Sequence, residues 1–234
     1  QCLSAGFVLY FLSKKAEYKV RLLYKEEIRT CGKDAKNIES LGTAGFVMQL
    51  TNSLVSICCN NVLSATGGDV YVSVMTIISS VRQMIETPIW SISEGSSPVI
   101  SYNYGAKRPK KVIEAWITMS VLALIYSLIA WSVILFAPKF LIGIFSSDKS
   151  LMIDTVPAMK LYFSAFIFML FQYTGQTMFK SLNKKKQAIF FSILRKVIIV
   201  VPMTYMFPYV FHMGSNGVFM AEPVSNVIAV SYTH

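Results

Sequence analysis

The chain has 234 residues, 54% of them hydrophobic and 15% charged, with a mean hydropathy of +0.52, which lies outside the balance of a soluble domain of this length. A formal net charge of +10 would suit nucleic acid, but the 22 Lys and Arg gather in short clusters rather than along a groove-binding face. Composition therefore excludes a nucleic-acid binder and points to a membrane protein.

A bilayer core about 30 Å thick is crossed by about 20 apolar helical residues. Taken in order, residues 1–12 read as the end of a preceding helix and 13–39 as a basic linker. Spans are then predicted over 41–65, 70–92, 112–136, 156–179, 187–209 and 216 to the end. Turn chemistry at Gly67 and Gly68, Gly105, Pro138, Asn183, Gly214 and Gly217 separates them. The numbering starts without Met and both ends fall inside apolar runs, so the chain reads as a fragment.

Assigning the loops alternately to two sides places 16 Lys and Arg on one side, in the linker, at 107–111 and at 180–186. Only 2, Lys139 and Lys149, fall on the other. Cytoplasmic loops retain basic residues, so the linker and the two basic turns are expected inside the cell. The four cysteines, Cys2, Cys31, Cys58 and Cys59, have no CxxC spacing and read as free thiols. His212 and His234 lack partner ligands, and no metal site is expected.

Polar residues in membrane helices face a bundle interior or a wet cavity. In the first span Gly45, Gln49, Asn52, Ser53, Ser56, Asn60 and Ser64 recur at steps of three and four and form one stripe. The second span repeats this with Ser79, Arg82, Gln83, Glu86, Trp90, Ser93 and Ser97, with Glu94 at the edge. Arg82 and Glu86, at i and i+4, are placed to pair. Arg stays charged under nearly any condition while Glu can take a proton, so Glu86 is the better candidate for a switch and a static pair is the alternative. In the fourth span Ser164, Gln172, Gly175 and Gln176 are polar, and Phe168 shares the face of the two glutamines. Glu222 precedes Pro223, which lacks an N–H; it reads as a cation-binding corner, an interfacial residue or a partner for Arg195.

No HExxH, GxSxG or Walker A loop is present, so the chain is not expected to be an enzyme, and any pumping would draw on an ion gradient. The segment EGSSPVISYNYGAKRPKKV (94–112) resembles the signature of the multidrug and toxic compound extrusion (MATE) family. The resemblance rests on Pro98, Tyr102, Asn103, Tyr104, Gly105 and Ala106. GQTMFKSLNKKKQA (175–188), SILRKVIIVVP (192–202) and GSNGVFMAEPVSN (214–226) resemble further family motifs in the same order. The similarity runs from residue 41 onward and is nearest to the bacterial branch of MepA-like and DinF-like exporters.

The resemblance implies an all-α polytopic membrane protein of two six-helix lobes. This chain would supply the end of helix six (1–12), the inter-lobe linker (13–39) and the C-terminal lobe, helices seven to twelve (40–234). It also implies an antiporter of the bacterial inner membrane that exports amphipathic, often cationic, compounds by alternating access against inward Na⁺ or H⁺ flow. The expected partners are such a substrate, membrane lipid and the other lobe, with no cofactor beyond the coupling ion and a monomeric full-length protein. Gln49, Asn52, Ser53, Ser56, Gln83, Phe168, Gln172 and Gln176 would line the cavity, and Arg82, Glu86, Glu94 and Glu222 would be the coupling candidates. Some members carry Glu on helix seven and Asp on helix ten, where this chain has Gln49, Asn52 and Ser53, and Gln172 and Gln176. The alternatives are a lipid-linked precursor flippase of a related fold and a non-transporting membrane subunit.

Overall fold

The structure, a computed structural model, describes residues 6, 10, 11 and 32–231. Most of the expected helix-six end and the linker up to residue 31 lie outside the described residues, as do Cys2, Cys31 and His234. The chain divides into two compact units, 1–43 and 44–234. In the first, helix already begins at Gly32, so the last residues expected in the linker are helical instead.

Among the described residues every regular element is a helix. They are α1 (Gly32–Gly105), α2 (Pro109–Phe136), α3 (Pro138–Phe145), α4 (Lys149–Tyr162), α5 (Phe166–Ser181) and α6 (Lys185–Ile193), followed by a π-helical stretch (Leu194–Val200), α7 (Val201–Tyr209) and α8 (Ser215–Ser231). Among the described residues three helices are long and apolar enough to cross a membrane, or four if the bent pair α4 and α5 is one span. The first of these contains the break of α1.

That break is at Gly68, whose φ of 71° and ψ of −169° suit a residue without a Cβ. Beyond it the chain doubles back, so that Gln49 of the first arm and Trp90 of the second border one recess. The two arms correspond to the first two expected spans, but the second continues to Gly105 with Pro88 and Pro98 inside it. The helix therefore runs on past 92, the expected end of the second span, as far as the expected turn at Gly105. Hydroxyls of Thr87, Ser91 and Ser96 donate to carbonyls four residues back at 2.6, 2.9 and 2.8 Å, which helps to keep the backbone satisfied where water is scarce. The small residues have a packing role: Ser97 meets the Ser181 hydroxyl at 2.8 Å and Ser101 donates to the Ser181 carbonyl at 3.0 Å. Small polar side chains let helices approach closely in lipid, where hydrocarbon burial alone gives no preference for helix over tail.

Lys107 closes the end of α1 with φ 55°, as the Lys107 and Arg108 N–H groups donate to Tyr104 and Asn103. Pro109 then opens α2 at a position where its missing N–H costs nothing. One face of α2 buries Val112, Met119, Ala123, Ser127, Ala130 and Ile134. Its other face exposes Ile113, Ile117, Val121, Ile125, Leu128 and Ile129, a surface suited to acyl chains. The short α3 falls in what was read as a loop. Asp148 caps α4 by accepting from the Ser150 N–H at 2.8 Å; the Ser150 hydroxyl and this N–H hold its carboxyl below the usual carboxylate range.

The expected span 156–179 is not one straight helix: α4 and α5 meet at a 54° bend. Trp131 of α2 donates from its indole nitrogen to the Phe163 carbonyl at 3.0 Å, a second bond to an oxygen that also accepts from the Phe166 N–H at 3.1 Å and that ties α2 to the bend. The expected span 187–209 is likewise interrupted by the π-helical stretch. Pro202 follows that stretch, and the widened turn accommodates a residue that cannot donate to the carbonyl of Ile198. The core of the second unit joins Leu63, Val74, Ile78 and Ile89 of α1 to Met159, Phe163 and Phe219.

At the start of α8, a Cβ added to Gly217 would lie 2.9 Å from the Phe207 carbonyl carbon and the Pro208 nitrogen. Backbone cannot swing aside as a flexible side chain can. Gly217→Ala is expected to destabilise the α7 and α8 packing by about 1–3 kcal/mol, the usual range for overpacking. The check is the thermal unfolding midpoint in detergent, and an unchanged midpoint would show that the contact relaxes freely.

Candidate functional site

A cavity of about 760 Å³ opens among the helices of the second unit. The first arm of α1 contributes Gln49, Asn52, Ser53 and Ser56, and the second contributes Ser79, Arg82, Gln83, Glu86 and Trp90. These are the helical steps that put one face of each arm toward a common space. Tyr162 comes from α4, Gln172, Tyr173 and Gln176 from α5, Ser192 from α6, Arg195 and Lys196 from the π-helical stretch, and Glu222 from α8. A recess of about 440 Å³ shares Gln49, Ser79, Arg82, Gln83, Glu86 and Trp90 and extends to Thr87, Ser91 and Glu94.

The wall is charged and its charges interlock. One carboxylate oxygen of Glu222 accepts from Arg195 Nη2 at 2.6 Å, from Arg82 Nη2 at 3.0 Å and from Lys196 Nζ at 3.3 Å. Arg82 also pairs with Glu86, donates to the Tyr162 hydroxyl and sits 5.7 Å from the centre of that ring. Tyr173 donates to the other Glu86 oxygen at 2.9 Å and meets Trp90 edge-on with ring centres 6.0 Å apart. Arg195 is only 2% exposed and donates to Gln172 and, at 2.5 Å, to Asn226 Oδ1. A charge removed from water is tolerated only where partners replace its hydration, and each of these has them. Arg82, Arg195 and Lys196 face two carboxylates, Glu86 and Glu222.

Seven of the expected lining residues, Gln49, Asn52, Ser53, Ser56, Gln83, Gln172 and Gln176, border this cavity. Phe168 does not: α5 starts at Phe166, so Phe168 lies in its first turn beside the bend, 41% exposed and outside the lining. Arg82 and Glu86 pair as their spacing implies. Glu94 reaches only the recess and pairs on the exposed surface with Lys180 at 3.1 Å. Glu222 is the partner of Arg195, and three cationic side chains occupy the oxygen that would otherwise form a cation-binding corner. Pro98, Tyr102, Asn103, Tyr104, Gly105 and Ala106 lie at the end of α1 and in the turn to α2, outside the cavity lining. Asn60 and Ser64, the far end of the first polar stripe, are exposed and also outside it.

Lys196 and Tyr162 were not singled out by sequence reasoning. The signal was present: Arg195 and Lys196 sit side by side in the apolar stretch 189–209, and intramembrane charge marks a site by default. Counting basic residues only in loops passes over them.

The model of one protein family, MatE, matches residues 45–206, well over half of the chain. The chain belongs to the MatE family. Among solved structures, the MATE multidrug transporter DinF-BH, determined as a complex, is similar over 99% of this chain and 51% of its own, at 27% identity and a TM-score of 0.80. A MOP superfamily transporter from Pyrococcus furiosus, described as having a binding pocket of reverse polarity, is similar at 20% identity and a TM-score of 0.87, over 99% of this chain and 52% of its own. An outward-facing multidrug resistance MATE transporter of the MOP superfamily gives 20% identity and a TM-score of 0.85, with 99% and 51% covered. The chain thus spans about half the length of the solved structures it matches. No curated protein matches it. The fold is the all-α fold of MATE transporters, and this MatE chain is an integral membrane protein.

Within the MatE chain the two carboxylates carry unequal loads. Removing Glu222 would strand Arg195 and Lys196 in the wall, whereas removing Glu86 leaves Arg82 its bond to Glu222. Glu222→Ala is expected to cost about 3–5 kcal/mol, the range for breaking a buried ion pair from one side, and Glu86→Ala clearly less. Thermal unfolding in detergent ranks the two, and equal losses would show that the triple pairing adds nothing.

Proposed function

We propose that the chain is the C-terminal lobe of a secondary antiporter of the bacterial inner membrane that exports amphipathic organic compounds by alternating access, driven by inward Na⁺ or H⁺ flow. One observation carries this reading: a polar and charged cavity of about 760 Å³, lined from six helical elements, inside a bundle whose α2 turns isoleucines, valines and leucines outward. That size suits a drug-like ligand. Transporters of this architecture bind their substrates between halves that rock about a fixed site. Coverage of half of each matched structure supports a second lobe as the partner that completes the cavity; substrate and membrane lipid as further partners and a monomeric full-length state belong to the same proposal.

Orientation follows from the basic turns. The Ser97 and Ser101 contacts with Ser181 bring the 105–109 and 182–184 turns to one end of the bundle, and both carry the clustered Lys and Arg that favour the cytoplasm. On this reading the 13–39 linker is cytoplasmic as well. The cation preference of the family finds two carboxylates in the cavity, Glu86 and Glu222, both already held by cationic side chains. Glu86 is the first candidate for the coupling ion, because its other partner is a neutral tyrosine. Glu222 and Glu94 follow.

Cells expressing the full-length parent are expected to expel a fluorescent amphipathic dye while a Na⁺ or H⁺ gradient stands, and to stop when both are collapsed. Efflux that persists through both ionophores would remove the antiport reading. Accumulation of a lipid-linked precursor in a deletion strain, with dye efflux unchanged, would favour a flippase. Glu86→Gln is expected to abolish gradient-dependent efflux at normal membrane expression; loss of expression instead would make the Arg82 pair purely structural.

A further inference from the structure

The cavity wall carries more positive than negative charge, and one of its cations is weakly paired. Arg82, Arg195 and Lys196 face Glu86 and Glu222, a surplus of one formal positive charge among the described residues. The Lys196 ammonium has three donors, and among the described residues its hydrogen bond goes to a Glu222 oxygen that already accepts from Arg195 at 2.6 Å and from Arg82 at 3.0 Å. At 3.3 Å it is the longest of the three. Buried donors are rarely left unpaired, and a cluster short of acceptors is completed by a ligand that supplies them.

Access singles out Lys196. Arg195 is closed off, and Arg82 is committed to Glu86, Tyr162 and Glu222. The Lys196 side chain is 11% exposed and lines the cavity, with the Ser192 hydroxyl one turn before it on the same wall. The π-helical winding contributes, because a wider turn lets the adjacent Arg195 and Lys196 both face inward. Ile57, Met75 and Val218 make part of the same lining apolar. An oxyanion next to the surplus ammonium gains charge-assisted hydrogen bonds in a medium that screens poorly; a cation entering there meets net repulsion.

We propose that the wall around Lys196 is a subsite for the anionic group, a carboxylate, sulfonate or phosphate, of an amphiphilic ligand whose apolar body lies along the rest of the cavity. The assignment rests on the transport reading given above and names the substrate class of that same site, opposite in sign to the cationic preference implied by the family resemblance.

The test uses the full-length transporter in nanodiscs of zwitterionic lipid and two xanthene dyes of similar ring size, anionic fluorescein and a cationic rhodamine ester, read by fluorescence anisotropy. Wild type is expected to bind fluorescein at least about tenfold more tightly than the rhodamine ester. Lys196→Met is expected to lose that preference while still binding the rhodamine ester, which also reports that it is folded, and Lys196→Arg to keep it. Should Lys196→Met not fold, the wild-type preference and its retention in Lys196→Arg decide. A wild-type preference for the rhodamine ester, or an unchanged preference in Lys196→Met, overturns the anion subsite and leaves the transport reading standing. If neither dye binds, both readings fall. Adding phosphatidylglycerol to the nanodiscs separates sources of the anion: competition with fluorescein in wild type but not in Lys196→Met assigns the site to a lipid headgroup, and absence of competition assigns it to a soluble amphiphile.

Discussion

Three cationic side chains converge on one oxygen of Glu222, and much of the second unit is arranged to bring them there. Arg82 arrives from the second arm of α1, Arg195 and Lys196 from the π-helical stretch, and the carboxylate from α8. In lipid there is no hydrocarbon driving force to choose one helix arrangement over another, so polar contacts of this kind help to set which helices are neighbours. The same contacts explain why the charges are tolerated at all. Each guanidinium is desolvated, but each finds a carboxylate, an amide oxygen or a tyrosine hydroxyl in place of water. Their gain in stability is small compared with the cost of leaving any one of them alone.

Each departure from regular helix geometry serves this convergence. The turn at Gly68 folds α1 back so that Gln49 and Glu86 share a wall. The bend between α4 and α5 lets Tyr162 and Tyr173, on either side of it, contact Arg82 and Glu86 respectively. The π-helical stretch ahead of Pro202 turns two adjacent basic residues inward. Irregular backbone at membrane depth persists only where protein or a wet cavity satisfies it, and here the Phe166 N–H and the indole of Trp131 do so for the Phe163 carbonyl.

The helical periodicity of 49, 52, 53 and 56, and of 79, 82, 83, 86 and 90, made two walls of the cavity legible before any coordinates, because side-chain direction along a helix follows from spacing alone. The i and i+4 pairing of Arg82 with Glu86 was legible for the same reason. Phe168 shares helical phase with Gln172 and Gln176 on α5, but it lies one to two turns nearer the bend, beyond the reach of the cavity, and phase alone does not report depth along a helix. The second span was ended at 92, although the stripe already included Ser93 and Ser97, because Ser, Gly and Pro signal a loop in water but close helix packing in a membrane. Lys196 was missed because it belongs to no loop and follows no stripe; its position depends on its contact with Glu222 of α8, 26 positions away in sequence.

The two buried carboxylates are not equivalent places for a charge to change. A proton or ion bound at Glu222 would leave Arg195 and Lys196 without a counter-charge in a wall that already carries a positive surplus, and the nearest remaining acceptors, Gln172 and Asn226, are neutral. At Glu86 the accounts differ. Arg82 keeps its bond to Glu222, and Tyr173 is a neutral hydroxyl whose proton can be shared with either form of the carboxyl. Of the two carboxylates, Glu86 is therefore the one whose charge can change without stranding a cationic side chain, because Arg82 stays tied to Glu222.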